Sequence, residues 1–271
     1  MSTALVLAGG GVTGIAWETG VLRGLRERGL DLAASADLIV GTSAGSTVGA
    51  QLATGRDIDD MFAAQLDEAH NEISPRLDLD LLATIFGMLE DGGTRDDARR
   101  AEIGALALTA STVDEPTRRA VIESRVGTDA WPARNLVVTA IDAVTGAFVT
   151  WDRTMGVSLV DAVASSCAVP GVWPCVTING RRYYDGGLRN SANAFLAAGH
   201  DEVWVLAPLT GGASRAVEEE LELLRSQGAA VRFVSADGEA VAAMGPNSLD
   251  PRFRPPAAEH GHRQAMEMRL D

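Results

Sequence analysis

The chain is poor in the residues that would take it outside ordinary α/β chemistry. It has two cysteines in 271 residues, too few for a disulfide framework, and Cys167 and Cys175 read as structural or incidental in a reduced, cytoplasmic protein. Aromatics make up 5% of the sequence against 29 glycines, a balance that argues against a β-sandwich and for helices packed closely on a sheet. Basic residues are outnumbered, 23 Lys and Arg against 37 Asp and Glu, for a formal charge of −14. A field of that sign repels phosphate backbones, so no nucleic-acid partner is expected. It also gives no bulk attraction to an anionic lipid surface and no evident site for an anionic headgroup. No run approaches the ~18 apolar residues of a membrane span, and the opening MSTALVLAGGG lacks the cationic start of a signal peptide. No His, Cys and Asp cluster has metal-ligand spacing, so neither a metal nor a cofactor is expected. The four histidines, His70, His200, His260 and His262, are poorly framed for a triad. His200 lies between a helix and a strand, at the wrong end of a sheet, and the last two lie near a mobile-looking terminus.

What is present is a parallel α/β pattern. Hydrophobic residues make up 46% of the chain, enough for a sizeable core. Residues 4–8 form a short apolar run ended by glycines, a buried strand. Residues 14–28 have helical spacing and stop at Gly29. Residues 38–40 are a second strand, and residues 43–53 a small-residue helix stopped at Gly55. This order predicts a mostly parallel central sheet with right-handed crossovers and helices on both faces. Residues 57–125 carry no clear strand and read as several helices. Residues 135–142 and 147–151 pair across a turn, residues 159–168 are helical, and residues 176–184 fold back at Asn179-Gly180. A strand at 203–207, a charged helix at 218–225 with a solvated face, a strand at 231–234 and a helix near 257–268 complete the chain. No repeat or linker divides it. The expectation is a single domain over 1–271, with about 57–130 a helical cap and about 245–271 a C-terminal extension.

Three motifs carry the chemistry. Gly41-Thr42-Ser43-Ala44-Gly45 follows a strand and opens a helix. A strand that turns this sharply strains the turn residue, and side chains at the flanking positions would collide with the strand or the helix, so Gly41 and Gly45 avoid both clashes. Ser43 is then held above the carboxyl edge of the sheet at a helix N-terminus, as a nucleophile would be. Gly9-Gly10-Gly11-Val12-Thr13-Gly14 follows the first strand. Its G-x-G-x-x-G spacing allows a dinucleotide-binding loop, but that reading needs an acidic residue at the end of the second strand, and Asp31 lies in the connection before it. The same loop beside Ser43 reads as an oxyanion hole, its donors the amides of Gly10, Gly11 and Ala44, each worth ~3 kcal/mol in a transition state. Asp185-Gly186-Gly187 ends a strand-like RRYYD. It is either an ordinary Asp-Gly turn or a carboxylate exposed at a strand end.

The GGGVTG loop, the GTSAG serine and the DGG aspartate, in this order, resemble the patatin-like phospholipases. Ala164-Ser165-Ser166-Cys167-Ala168-Val169-Pro170 is similar to that family's A-S-x-x-x-P segment. The resemblance spans residues 9 to about 190 and implies a patatin-like three-layer fold. It implies Ser43 as nucleophile and Asp185 as its partner in a dyad without histidine, with Gly9, Gly14, Gly186 and Gly187 as motif glycines. It implies a serine esterase or lipid acyl hydrolase acting through an acyl-serine, on a lipid or acyl-ester substrate, with transient contact to a membrane surface. The family carries Arg or Lys where this chain has Thr13. A catalytically silent lipid-binding member of the fold is the alternative. Leu77, Leu79, Leu81, Leu82, Ile85, Phe86, Met88 and Leu89 crowd one segment, either as core of the cap or as an apolar channel for an acyl chain.

Overall fold

The computed structural model describes residues 1–67, 72, 73, 75, 77–89, 94–209 and 214–270. The chain opens β1 (Thr3–Leu7), α1 (Gly11–Glu27), α2 (Leu32–Ser35), β2 (Leu38–Gly41) and α3 (Ala44–Ala53). A helical stretch follows: α4 (Ile58–Leu66), α5 (Leu79–Gly87), α6 (Asp97–Thr109) and α7 (Glu115–Val126). Each of these four helices starts on an aspartate, Asp57, Asp78, Asp96 and Asp114, whose carboxylate accepts an amide of the first turn. Such caps each stabilise a helix start by about 1 kcal/mol.

The second half contains β3 (Leu136–Asp142), β4 (Phe148–Trp151), α8 (Leu159–Ser166), β5 (Val176–Ile178) and β6 (Arg181–Asp185). After 3₁₀ turns at Gly186–Leu188 and Ala194–Ala197 come β7 (Glu202–Ala207), α9 (Arg215–Ser226), β8 (Ala230–Ser235), α10 (Gly238–Ala243), a third 3₁₀ turn and α11 (Arg254–Glu267). The strands form one sheet in the order β5-β6-β3-β2-β1-β7-β8, with β4 also on β3. The strands β3, β2, β1, β7 and β8 are parallel, and β4, β5 and β6 join antiparallel.

β1 lies between β2 and β7, and its alternation separates two cores. Leu5 and Leu7 face α1, α3 and α8, while Ala4 and Val6 face the 194–197 turn and α9. Both faces are therefore covered by helices, as a parallel sheet requires. The fold is the mixed α/β class that the strand and helix pattern predicts.

Several elements differ from the sequence pattern: α1 and α11 start three residues early, and the short α2 and α10 are additional. α1 begins at Gly11, because the Gly14 amide closes the first turn on the Gly10 carbonyl at 2.8 Å, so the glycine loop from Gly11 onward is helix. α10 has no apolar stripe to announce it and is set by its cap, the Asp237 carboxylate accepting the Ala240 amide at 2.8 Å. α11 packs along α1 so closely that a Cβ on Gly20 would lie 2.1 Å from the Ala258 carbonyl. The end of the chain is thereby tied to the helix that carries the glycine loop.

Candidate active site

β3 brings the serine and aspartate motifs together. Val138 pairs with Gly41 of β2 on one edge of β3 and with Trp151 of β4 on the other. Ala140 pairs with Val149 of β4 and with Asp185 of β6. β2 and β6 therefore share one edge of β3, run in opposite directions, and meet tip to tip. The two tips lie two β3 residues apart, roughly 7 Å at ~3.3 Å per residue. Thr139, between them, bonds the Thr42 hydroxyl at 2.9 Å.

Ser43 sits on the turn from β2 to α3 with φ 52° and ψ −116°, a strained backbone for a residue with a side chain. The flanking glycines are required by close approach. A Cβ on Gly41 would lie 2.5 Å from Ser46 Cα in α3, and one on Gly45 would lie 2.1 Å from the Leu7 carbonyl in β1. The ASSC segment at the end of α8 buttresses the turn. The Ser43 amide donates to Ser166 Oγ at 2.8 Å, and the Cys167 thiol donates to the Ser43 carbonyl at 3.2 Å. Both cysteines are buried and free. The roles of Ser166 and Cys167 escape sequence reading, although the segment itself is recognisable.

The glycine loop lies alongside. The Gly9 amide donates to the Ser191 carbonyl at 2.9 Å and the Thr13 amide to the Ser248 carbonyl at 3.1 Å. Among the described residues, the amides of Gly10, Gly11 and Ala44 have no acceptor. Gly11 starts α1 and Ala44 starts α3, so two helix N-termini converge where Ser43 stands, and both favour negative charge. A Cβ on Gly10 would lie 2.3 Å from Pro208 Cγ, and Gly11 has φ +64° with the Ser248 carbonyl 2.6 Å from where its Cβ would be. Gly14 lets α1 approach α3, its Cβ position being 3.4 Å from that of Ala44. Thr13 points into the core, fully buried with its hydroxyl unpartnered among the described residues, and puts nothing into the cleft.

Asp185 is buried, and Oδ1 accepts the Gly187 amide at 2.8 Å. Burial pushes its carboxyl up to about 7, against a hydrogen bond with the Ser43 side chain and the Gly187 amide, which both lower it. A Cβ on Gly186 would lie 2.3 Å from Thr139 Oγ1, and one on Gly187 would lie 3.0 Å from Asp185 Oδ1. Asn193, which the sequence motifs did not single out, ties the two tips: its Nδ2 donates to Thr42 Oγ1 at 3.2 Å and to the Gly186 carbonyl at 3.3 Å.

Ser43, Asp185 and Gly9 to Gly11 line a cleft of about 570 Å³ whose walls are largely apolar, with Leu77, Leu82, Phe86 and Leu89 on one side. The leucine-rich segment is divided: Ile85 is buried in the core with Leu81 and Met88 against it, while Leu77, Leu82 and Phe86 line the cleft. No described histidine lines it. His200 bonds the Ala197 carbonyl at the amino edge of the sheet, and His262 bonds Glu27. His70 lies outside the described residues. Asp31, which lies before β2 and not at its end, caps α2 through the Ala34 amide.

Fold and site define a class first: an α/β protein that holds a serine on a strained strand-to-helix turn at the carboxyl edge of a parallel sheet. The chain belongs to the patatin-like phospholipase family, whose sequence pattern matches residues 5–198. It is similar in structure to VipD from Legionella pneumophila, with a TM-score of 0.51 and 15% identity, over 98% of this chain and 66% of VipD. ExoU, a type III effector of Pseudomonas aeruginosa, aligns at 15% identity with a TM-score of 0.44, over 98% of this chain and 52% of ExoU. The chain thus spans about two thirds of VipD and about half of ExoU, and at such identities the likeness is one of fold. No curated protein matches the chain in sequence.

Proposed function

We propose that the protein is a serine ester hydrolase that cleaves acyl esters of lipids through a Ser43–Asp185 dyad. The observation that supports this reading is that the β2 and β6 tips put Ser43 and the buried Asp185 carboxyl in one cleft with the glycine loop, where burial raises that carboxyl to about 7. A carboxylate with an ordinary pKa near ~3.9 is a weak base for a hydroxyl, whereas one near 7 is matched to proton transfer at neutral pH.

In this mechanism Asp185 takes the Ser43 proton as Oγ attacks the ester carbonyl carbon. The oxyanion forms against the amides of Gly10, Gly11 and Ala44. As the C–O bond breaks, Asp185 returns the proton to the leaving alkoxide, which leaves acyl-Ser43. Water then attacks the acyl carbon, giving its proton to Asp185, and Ser43 Oγ departs and takes that proton back. A dyad of modest basicity favours esters over amides. The leucine-lined cleft suits the acyl chain, and Phe86, which lines it and is half exposed, suits access from a lipid surface. In this reading the chain is one domain, with residues 57–130 as a cap at the catalytic end and 245–271 as a C-terminal extension.

The test is hydrolysis of short-chain nitrophenyl esters together with labelling by a serine-directed phosphonate. Ser43→Ala is expected to abolish both while keeping the thermal transition. Asp185→Asn is expected to cost nearly as much turnover, because residues that act as a unit are not additive. Lipid binding with no turnover that Ser43→Ala removes would instead identify a silent member of the fold.

A further inference from the structure

Ser43 stands between two unlike spaces. The leucine-lined cleft adjoins a small cavity of about 20 Å³ lined by Ser43, Ala44, Arg118, Arg125 and Trp173, and both are bordered by Gly11, Val169 and Leu249. Arg125 connects that cavity to a third space of about 180 Å³, lined by Arg56, Arg254 and polar side chains. The basic side chains here come from α4's leader, α7 and α11, and none is close to another motif in sequence.

Arg118 is the anomaly. It is 5% exposed, and its Nε and Nη1 have no hydrogen-bond partner among the described residues. Its guanidinium lies 3.7 Å from the centre of the Trp173 ring, a stack that orients the fork without neutralising it. Arg125 is different, because Glu72 grips it with both carboxylate oxygens. Arg254 also leaves Nη1 unpartnered, while its other nitrogens bond Gln65 and Ala64. Among the described residues, four arginines therefore face these two spaces against two carboxylates, Asp67 and Glu72. Burial, and next the neighbouring Arg125, lower the Arg118 pKa to about 9, which still leaves a cation at neutral pH. A buried guanidinium left without an acceptor costs several kcal/mol, and buried polar groups in native proteins are as a rule satisfied.

We propose that the arginine-lined space beside Ser43 receives a phosphate group of the substrate, bound chiefly by Arg118, while the acyl chain occupies the leucine-lined cleft. The proposal rests on the hydrolase reading above and names the substrate class of that site. The small cavity holds one oxygen-sized group, so the phosphate places one oxygen there and the rest toward the adjoining space. Guanidinium and phosphate match as a two-point, charge-assisted pair. The −14 net charge conceals this local excess of cations, because Arg56, Arg118, Arg125 and Arg254 are gathered only by the fold.

The test compares a short-chain 1-acylglycerol 3-phosphate with the matching 1-acylglycerol, both as monomers. The wild-type protein is expected to prefer the phosphate ester. Arg118→Gln should lower the ratio of the two kcat/KM values about 10- to 100-fold, the range for a lost charge-assisted hydrogen bond, and Arg118→Lys should restore part of it. In case Arg118→Gln fails to fold, glycerol 3-phosphate should inhibit acylglycerol hydrolysis competitively in the wild type. A second arm measures binding of glycerol 3-phosphate and of inorganic phosphate to Ser43→Ala by calorimetry, and both should bind. A ratio near one in the wild type, or no binding of either anion, overturns the proposal. So does phosphate binding that Arg118→Gln removes without moving the ratio, which assigns the site to a free anion. If neither ester is hydrolysed, the hydrolase reading fails and the calorimetric arm alone decides the anion site.

Discussion

At the scale of single residues, the chemistry turns on how Asp185 is held. In the dyad mechanism the ionised form is the base, so kcat/KM for a neutral ester is expected to rise with pH through about 7 and to level off above it. A profile already flat from pH ~5 upward would remove Asp185 as the base. The same shift has a consequence for stability. The unfolded carboxyl loses its proton near ~3.9, the folded one near 7. Between those values the folded state binds more protons, so stability falls as pH rises through that window and is level above it. Asp185→Asn keeps an oxygen to accept the Gly187 amide and carries no charge to bury. It should therefore melt higher than the wild type at about pH 8, by up to about 4 kcal/mol at 1.36 kcal/mol per pKa unit, and the advantage should vanish near pH 4. Equal melting temperatures at both pH values would mean that burial does not raise this carboxyl. Function and stability are opposed at this position, as is common where an active site is strained or desolvated.

At the scale of elements, the site depends on how closely β1, β2 and α3 cross. Gly45→Ala puts a methyl group where the Leu7 carbonyl already is, and backbone atoms on both sides cannot move aside as a side-chain tip can. The variant is expected to lose at least about 3 kcal/mol in urea unfolding and to lose phosphonate labelling of Ser43. Gly238→Ala, on α10 with nothing near its Cβ position, is the contrast and should be neutral or slightly stabilising. Equal stability for the two variants would contradict the crossing geometry. This level was also the most readable from sequence. The strands that hold Val6, Val40 and Val205 are short apolar runs ended by glycine or polar residues, and the Gly-x-Ser-x-Gly turn states its own steric requirement. The antiparallel turn-back of β6 is signalled by Asn179-Gly180, but its meeting with β2 along one edge of β3 depends on two long-range pairings, Gly41 with Val138 and Ala140 with Asp185. Ser166, Asn193 and Arg118 were not legible for the same reason. Each acts on a partner distant in sequence, and a serine, an asparagine or an arginine in a helix or loop has no local pattern that distinguishes it. Thr13 was legible as a departure from the family, yet its place in the core, away from the cleft, was not.

At the scale of the whole molecule, two charge distributions act in opposite senses. The overall field is that of a −14 protein, while the space beside Ser43 gathers arginines. Screening separates them, because a field summed over the surface weakens with salt and a buried contact much less so. In the proposed reading, a lipid substrate in a bilayer is approached through the overall field, which acts before any local contact forms. Hydrolysis of a lipid in neutral vesicles is expected to fall as anionic lipid is added at ~0.01 M salt, where the screening length is ~30 Å, and to recover at ~0.15 M, where it is ~8 Å. A monomeric phosphate ester, small enough to enter the cleft and reach Arg118, should show a much weaker salt dependence, because its binding is decided by the local contact. Should anionic vesicles be hydrolysed fastest at the lowest salt, the approach to the membrane would be governed by a cationic face and not by the net charge, and the separation of the two fields would fail.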